Sequence, residues 1–145
     1  MRLLKKKKKI VDSKSPYHLQ QKDIFIENGI IKAIEDSIDQ SADDEIHIED
    51  LHVSQGWFDS SVSFGEPGFE ERETLQNGLD TAMKSGFTSI VLHANTKPVI
   101  DNSALVQYLK TKTQNHIVEA FISGALTEQS KNEQLEELYD MHQHH

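Results

Sequence analysis

The sequence predicts an α/β fold: a short parallel sheet with covering helices, preceded by a β-rich segment. Three observations carry this. Residues 1–55 contain short runs in which apolar and polar side chains alternate, the period of a half-buried strand. From Gly56 onward, strand-like runs take turns with helix-spaced stretches, the pattern of βαβ units with right-handed crossovers. FTSIVL (Phe87–Leu92) is short and apolar, as expected of a parallel strand buried on both faces. The boundary is therefore expected at residue 55, with 1–55 the β-rich part and 56–145 the α/β part.

The elements follow in order. The basic run Lys5–Lys9 reads as a solvated edge strand or frayed terminus, since lysine blocks edge-to-edge pairing. Its other reading is a tether to an anionic surface. DIFIE (Asp23–Glu27) alternates, with Ile24 and Ile26 on one face. Asn28-Gly29 then gives a strong hairpin signal, because both central residues of a type I′ turn need positive φ. IIKAI (Ile30–Ile34) is the returning strand, Ser37–Asp44 a polar loop, and EIHIEDLHV (Glu45–Val53) a further strand. In that strand His47 faces water, and His52 flanks its end. Trp57–Phe64 starts the second part as a strand. Glu70–Lys84 is a helix with Leu75, Leu79, Ala82 and Met83 inward and acids in its first turn, where they suit the helix dipole. Gly86 stops it. Asp101 or Asn102 caps the next helix, whose apolar face is Leu105, Val106, Tyr108 and Leu109. His116–Ser123 is a third strand. Ser130–Met141 is a third helix with Leu135 and Leu138 inward.

Composition narrows the function classes. A net charge of −9 argues against nucleic acid as the main partner, which needs a basic surface. No apolar run approaches the ~18 residues that span a bilayer, and no apolar core follows the basic start as in a secretory signal. With no cysteine there is neither a disulfide framework nor a thiolate metal site. A cytoplasmic protein is expected.

In parallel α/β folds, ligands sit at the carboxyl ends of the strands. Those ends are Ser61–Gly65, His93–Thr96 and Ser123–Ala125. GWFDSSVSFGEPG places Asp59, Ser61 and Ser63 at alternate positions, hence on one face of a strand. Asn95 is read two ways: its amide both donates and accepts toward a ligand, or it makes a local turn before Pro98.

Three motifs in order, VSQGWFDSSVSFGEPGFEERET, VLHANTKPVID and GALTEQSKNEQLEELYDM, together with DIFIENGIIKAI near the start, resemble dihydroorotase of the amidohydrolase superfamily. The similarity is to the long type found in or beside pyrimidine-synthesis complexes, and it runs from Ile10 to His142. It implies the start of a TIM (β/α)8 barrel, about three βα units, preceded by part of a small β-sandwich domain. It also implies a hydrolase in which zinc-bound hydroxide opens the dihydroorotate ring to carbamoyl aspartate. In that family the first barrel strand ends in Asp-x-His-x-His-x-Arg, the histidines holding zinc and the arginine the substrate carboxylate. Here Asp59 is kept, Ser61 and Ser63 stand at the histidine positions, and Gly65 stands at the arginine position. Asn95 matches the family's substrate-contacting asparagine.

Serine hydroxyls are poor zinc ligands, and water without the ion keeps its bulk acidity. His93, two residues before Asn95, would be alone as a replacement. The chain is therefore expected to hold no metal and no catalytic residue of its own. Its expected role is a scaffold in pyrimidine biosynthesis, assembled with itself or with an aspartate transcarbamoylase-type partner. The alternatives are an active zinc-dependent dihydroorotase using ligands outside this chain, or a self-associating interaction module. A whole barrel needs ~250 residues, so a fragment or truncated chain is expected. The histidines at 142, 144 and 145 read as a tag remnant or frayed tail.

Overall fold

The computed structural model describes residues 1–131 and Leu135. It forms two compact units, Met1–Gln55 and Gly56–His145.

The first unit is a sheet of five strands: β1 (Arg2–Ile10), β2 (Gln21–Glu27), β3 (Ile30–Glu35), β4 (Asp44–Ile46) and β5 (His52–Val53). The order is β3-β2-β1-β4, with β5 also pairing with β1. β2 and β3 form the expected hairpin, with Asn28 at φ 52° and Gly29 at φ 77°. The lysine run is not at an edge. β1 is interior, antiparallel to β2 and parallel to both β4 and β5. The register of β1 against β2 shifts between Lys5 and Lys8, with Lys7 at φ 51°. Three of the ammonium groups then end on backbone carbonyls: Lys6 on Ile38, Lys7 on Asp36, and Lys8 on Ile48. Lys8 is 1% exposed. A lysine can lie in an interior strand when its aliphatic stem is buried and its head reaches an acceptor.

Asp23 in β2, also 1% exposed, accepts the N–H groups of Lys7 (2.9 Å) and Ile38 (3.0 Å) and lies 3.3 Å from the Lys6 ammonium. Burial raises its pKa, but these partners outweigh it and hold the carboxyl below the usual range. Leu4, Phe25 and Ile38 form the apolar core of this unit, with Ala33 and Ala42 against it. The expected long strand over Glu45–Val53 is instead two short ones. Asp50 takes a left-handed φ of 52° between them, and the Ile48 carbonyl is turned to Lys8.

The second unit is a parallel sheet in the order β6-β7-β8: β6 (Trp57–Val62), β7 (Phe87–Leu92) and β8 (Glu119–Ile122). Helices α1 (Leu75–Lys84) and α2 (Ser103–Thr113) connect them. Leu79, Ile90, Ile100, Val106, Leu109 and Val118 are core residues at 0–1% exposure. Truncating such a side chain to alanine typically costs 2–5 kcal/mol.

Several boundaries move from the sequence reading. α1 starts at Leu75, with no acid in its first turn, because Thr74 caps it by accepting the Asn77 N–H. Asn102, not Asp101, caps α2 through the Leu105 N–H (3.0 Å). Tyr108 is 42% exposed and stands off the apolar face of α2. β7 buries Ile90 and Leu92 on one face, which Thr88 leaves exposed at its start, while Phe87, Ser89 and Val91 on the other face are half-buried rather than buried. β6 ends at Val62, and β8 occupies only four residues of the predicted eight. Glu128–Ser130 form a single 3-10 turn, and Leu135 is 72% exposed in a bridge to Thr127, so it does not face inward there. The rest of the predicted third helix, Leu138 included, and the terminal histidines lie outside the described residues. No described helix is long and apolar enough to cross a membrane.

Candidate functional site

The carboxyl ends of β6 and β7 bring four polar side chains into two cross-strand pairs. Ser61 Oγ lies 3.0 Å from His93 Nε2. Ser63 Oγ lies 2.7 Å from Asn95 Nδ2 and 3.1 Å from its Oδ1. All four residues are exposed. The pairing follows from the backbone: the His93 N–H donates to the Val62 carbonyl (2.9 Å), which sets His93 and Asn95 beside the serines. Asn95 thus spends its side chain on Ser63 rather than on a local turn before Pro98.

The expected row of three is broken at Asp59. The β6–β7 register slips between Asp59 and Val62, and Asp59 Oδ1 turns back on its own strand to accept the Ser61 N–H (2.9 Å). The carboxylate positions Ser61 and does not continue the serine row.

Gly65 sits at φ +117°, and a Cβ there would lie 2.7 Å from the Phe69 carbonyl oxygen. The Phe69 N–H closes a turn onto the Gly65 carbonyl (3.0 Å). Gly68 is tighter still: at φ +94°, an added Cβ would meet the Lys97 carbonyl oxygen at 1.9 Å. The Lys97 N–H also donates to the Pro67 carbonyl (2.9 Å), so the Glu-Pro-Gly loop and the Asn95–Pro98 loop meet backbone to backbone. Both proline bonds in these loops, Glu66–Pro67 and Lys97–Pro98, are cis.

The acids of the motif serve structure. Glu66 Oε2 accepts the Leu75 N–H (2.7 Å) at the start of α1, where the helix leaves backbone donors without partners. Glu70 Oε1 accepts the Gly68 N–H (2.8 Å), a bond that holds the Glu70 carboxyl below its usual range. Sequence reasoning missed the role of Glu66, nine residues before the N–H that it caps. It also took His93 as alone, whereas its partner comes from the neighbouring strand.

Zinc does not fit this donor set. Two neutral hydroxyls, an amide and one imidazole offer a single good ligand where zinc takes three or four. Among the described residues, no group of three or more histidines, cysteines or carboxylates could hold a metal ion.

No family model matches the chain. It is 37% identical over 120 residues to a dihydroorotase of Caldanaerobacter subterraneus subsp. tengcongensis, covering 82% of this chain and 28% of that protein. To a dihydroorotase of Pelotomaculum thermopropionicum it is 35% identical over 141 residues, covering 97% and 33%. The chain therefore spans about a third of the length of these curated relatives. Among solved structures, it is similar to the L-hydantoinase (dihydropyrimidinase) from Arthrobacter aurescens, with a TM-score of 0.70 at 19% identity, covering 86% of this chain and 28% of that one. It is also similar to a dihydroorotase, with a TM-score of 0.62 at 16% identity, covering 88% and 32%. These likenesses give the fold, the start of a TIM-type barrel preceded in the sequence by a β-rich segment.

Proposed function

The chain is a relative of the dihydroorotases, similar to them along most of its own length, and on that footing we propose that it is a dihydroorotase-like protein of pyrimidine biosynthesis without metallohydrolase chemistry, kept as an assembly scaffold. One observation carries the reading. At the strand end where the resembled family places two zinc-binding histidines and an arginine, this chain has hydroxyls already paired to His93 and Asn95, and a glycine. Nothing in that set lowers the pKa of a bound water, and nothing offers a cation to a substrate carboxylate. The framework around it is intact, from the helix-capping Glu66 to the locked loops at Gly68 and Lys97. The assembly partner we infer is a second copy or an aspartate transcarbamoylase-type protein.

Zinc content of the purified protein, measured with dihydroorotate ring opening, tests this. The expected result is neither stoichiometric zinc nor turnover. Stoichiometric zinc together with turnover overturns it and favours an active enzyme with ligands elsewhere. A Ser61→His, Ser63→His double variant sharpens the test. It would set two imidazoles near His93 and is expected to bind zinc where the parent does not.

A further inference from the structure

We propose that Ser61 is a nucleophile activated by His93, able to take an acyl group from a small, activated ester, or a phosphoryl group from an organophosphorus fluoride, at the carboxyl end of the sheet. This goes beyond the scaffold reading and needs no metal. The Ser61 Oγ to His93 Nε2 separation, 3.0 Å, lies inside the ~2.6–3.2 Å range for a nucleophile and its general base. Both ends of the pair are held. Asp59 fixes the Ser61 backbone at 2.9 Å, and the Val62 carbonyl fixes that of His93 at 2.9 Å. Both residues are exposed, so a reagent can reach the hydroxyl. The neighbouring Asn95 amide has two N–H donors, of which Ser63 takes one. Among the described residues the other has no hydrogen-bond partner.

The step balances without a cofactor. With His93 Nε2 unprotonated, Ser61 Oγ attacks the carbonyl carbon and its proton passes to Nε2. The ester C–O bond then breaks, and the leaving alcohol departs with the electron pair and takes that proton. Water hydrolyses the acyl-serine by the same route. With diisopropyl fluorophosphate, the bond formed is Oγ–P, the bond broken is P–F, fluoride leaves with the electron pair, and the serine proton passes to His93 Nε2.

Incubation of the whole chain with diisopropyl fluorophosphate, followed by peptide mass spectrometry, is the test. The expected result is one organophosphoryl adduct on Ser61, absent from Ser61→Ala and still present in Ser54→Ala. His93→Gln is expected to slow labelling roughly 100-fold, the lower end of general-base effects. Circular dichroism establishes that each variant is folded. No adduct on the parent, an adduct elsewhere that survives Ser61→Ala, or parental labelling of His93→Gln overturns the proposal. None of these outcomes bears on zinc content or dihydroorotate turnover, so failure of the scaffold reading registers separately.

Discussion

In the β-rich unit, Asp23 is buried to 1% exposure and gathers two backbone N–H groups and the Lys6 ammonium, while Lys8 is buried to the same degree with its head on the Ile48 carbonyl. At the strand ends of the α/β unit, Ser61, Ser63, His93 and Asn95 stand exposed and pair side chain to side chain, the Asp59 carboxylate taking only the Ser61 backbone N–H. At Asp23 and Lys8 the charge of the first unit is internal and structural. In the second it is missing from the place where the resembled family keeps it. A buried charge cannot lose one partner cheaply, because the remaining group is left desolvated. Exposed pairs can be exchanged at little cost to the fold. The unit that reads as chemically dull is thus the one whose polar groups are hardest to change.

The largest expected effect lies at Asp23. Asp23→Ala removes the acceptor for two backbone amides, that of Ile38 buried, and one ammonium and is expected to destabilise the first unit by about 4 kcal/mol. Urea denaturation followed by circular dichroism measures it. A loss under about 1 kcal/mol would break the contrast between the units. The same residue sets a pH dependence. Its folded pKa lies below the unfolded value of about 3.9, so its contribution is full above that value and fades as pH falls through the folded pKa. The parent is expected to lose stability over this acid range, and Asp23→Ala to lose less.

A smaller effect is expected at Gly65. Gly65→Ala puts a side chain at φ +117° and 2.7 Å from the Phe69 carbonyl oxygen, and a cost of about 1–2 kcal/mol follows from the strain. The thermal midpoint of the α/β unit would report it. An unchanged midpoint would mean that the loop relaxes freely, and that arginine could return to this position.

The smallest is at Ser63. Ser63→Ala removes an exposed pair with Asn95 and is expected to stay within about 0.5 kcal/mol of the parent. A larger loss by the same melt would give the strand-end pairs a structural role and narrow the difference between the two units.

Local rules were legible in the sequence where one residue decides the outcome. Asn28-Gly29 marked the hairpin, Phe87–Leu92 the second parallel strand, and Gly86 the end of α1. The start of α1 was misread because Glu70, Glu71 and Glu73 look like a first turn, while the caps are Thr74 and the distant Glu66. β1 was misplaced for a related reason. Five lysines suggest an exposed edge, and only the packed sheet shows acceptors waiting for three of their heads. At the site, the residues themselves were legible from their alternation and their resemblance to dihydroorotase. Their partners were not, because Ser61–His93 and Ser63–Asn95 depend on the register between two strands and on a slip at Asp59 that no periodicity encodes.

The backbone-on-backbone meeting of Gly68 with Lys97 has a practical side for protein engineering. With 1.9 Å between a hypothetical Cβ and the Lys97 oxygen, position 68 admits no library diversity, and position 65 admits little. Positions 61, 63, 93 and 95 face solvent, where exchange is expected to cost the fold little. A designer grafting a new ligand site here has four variable letters on a frame that is already fixed, and would do well to leave that frame untouched.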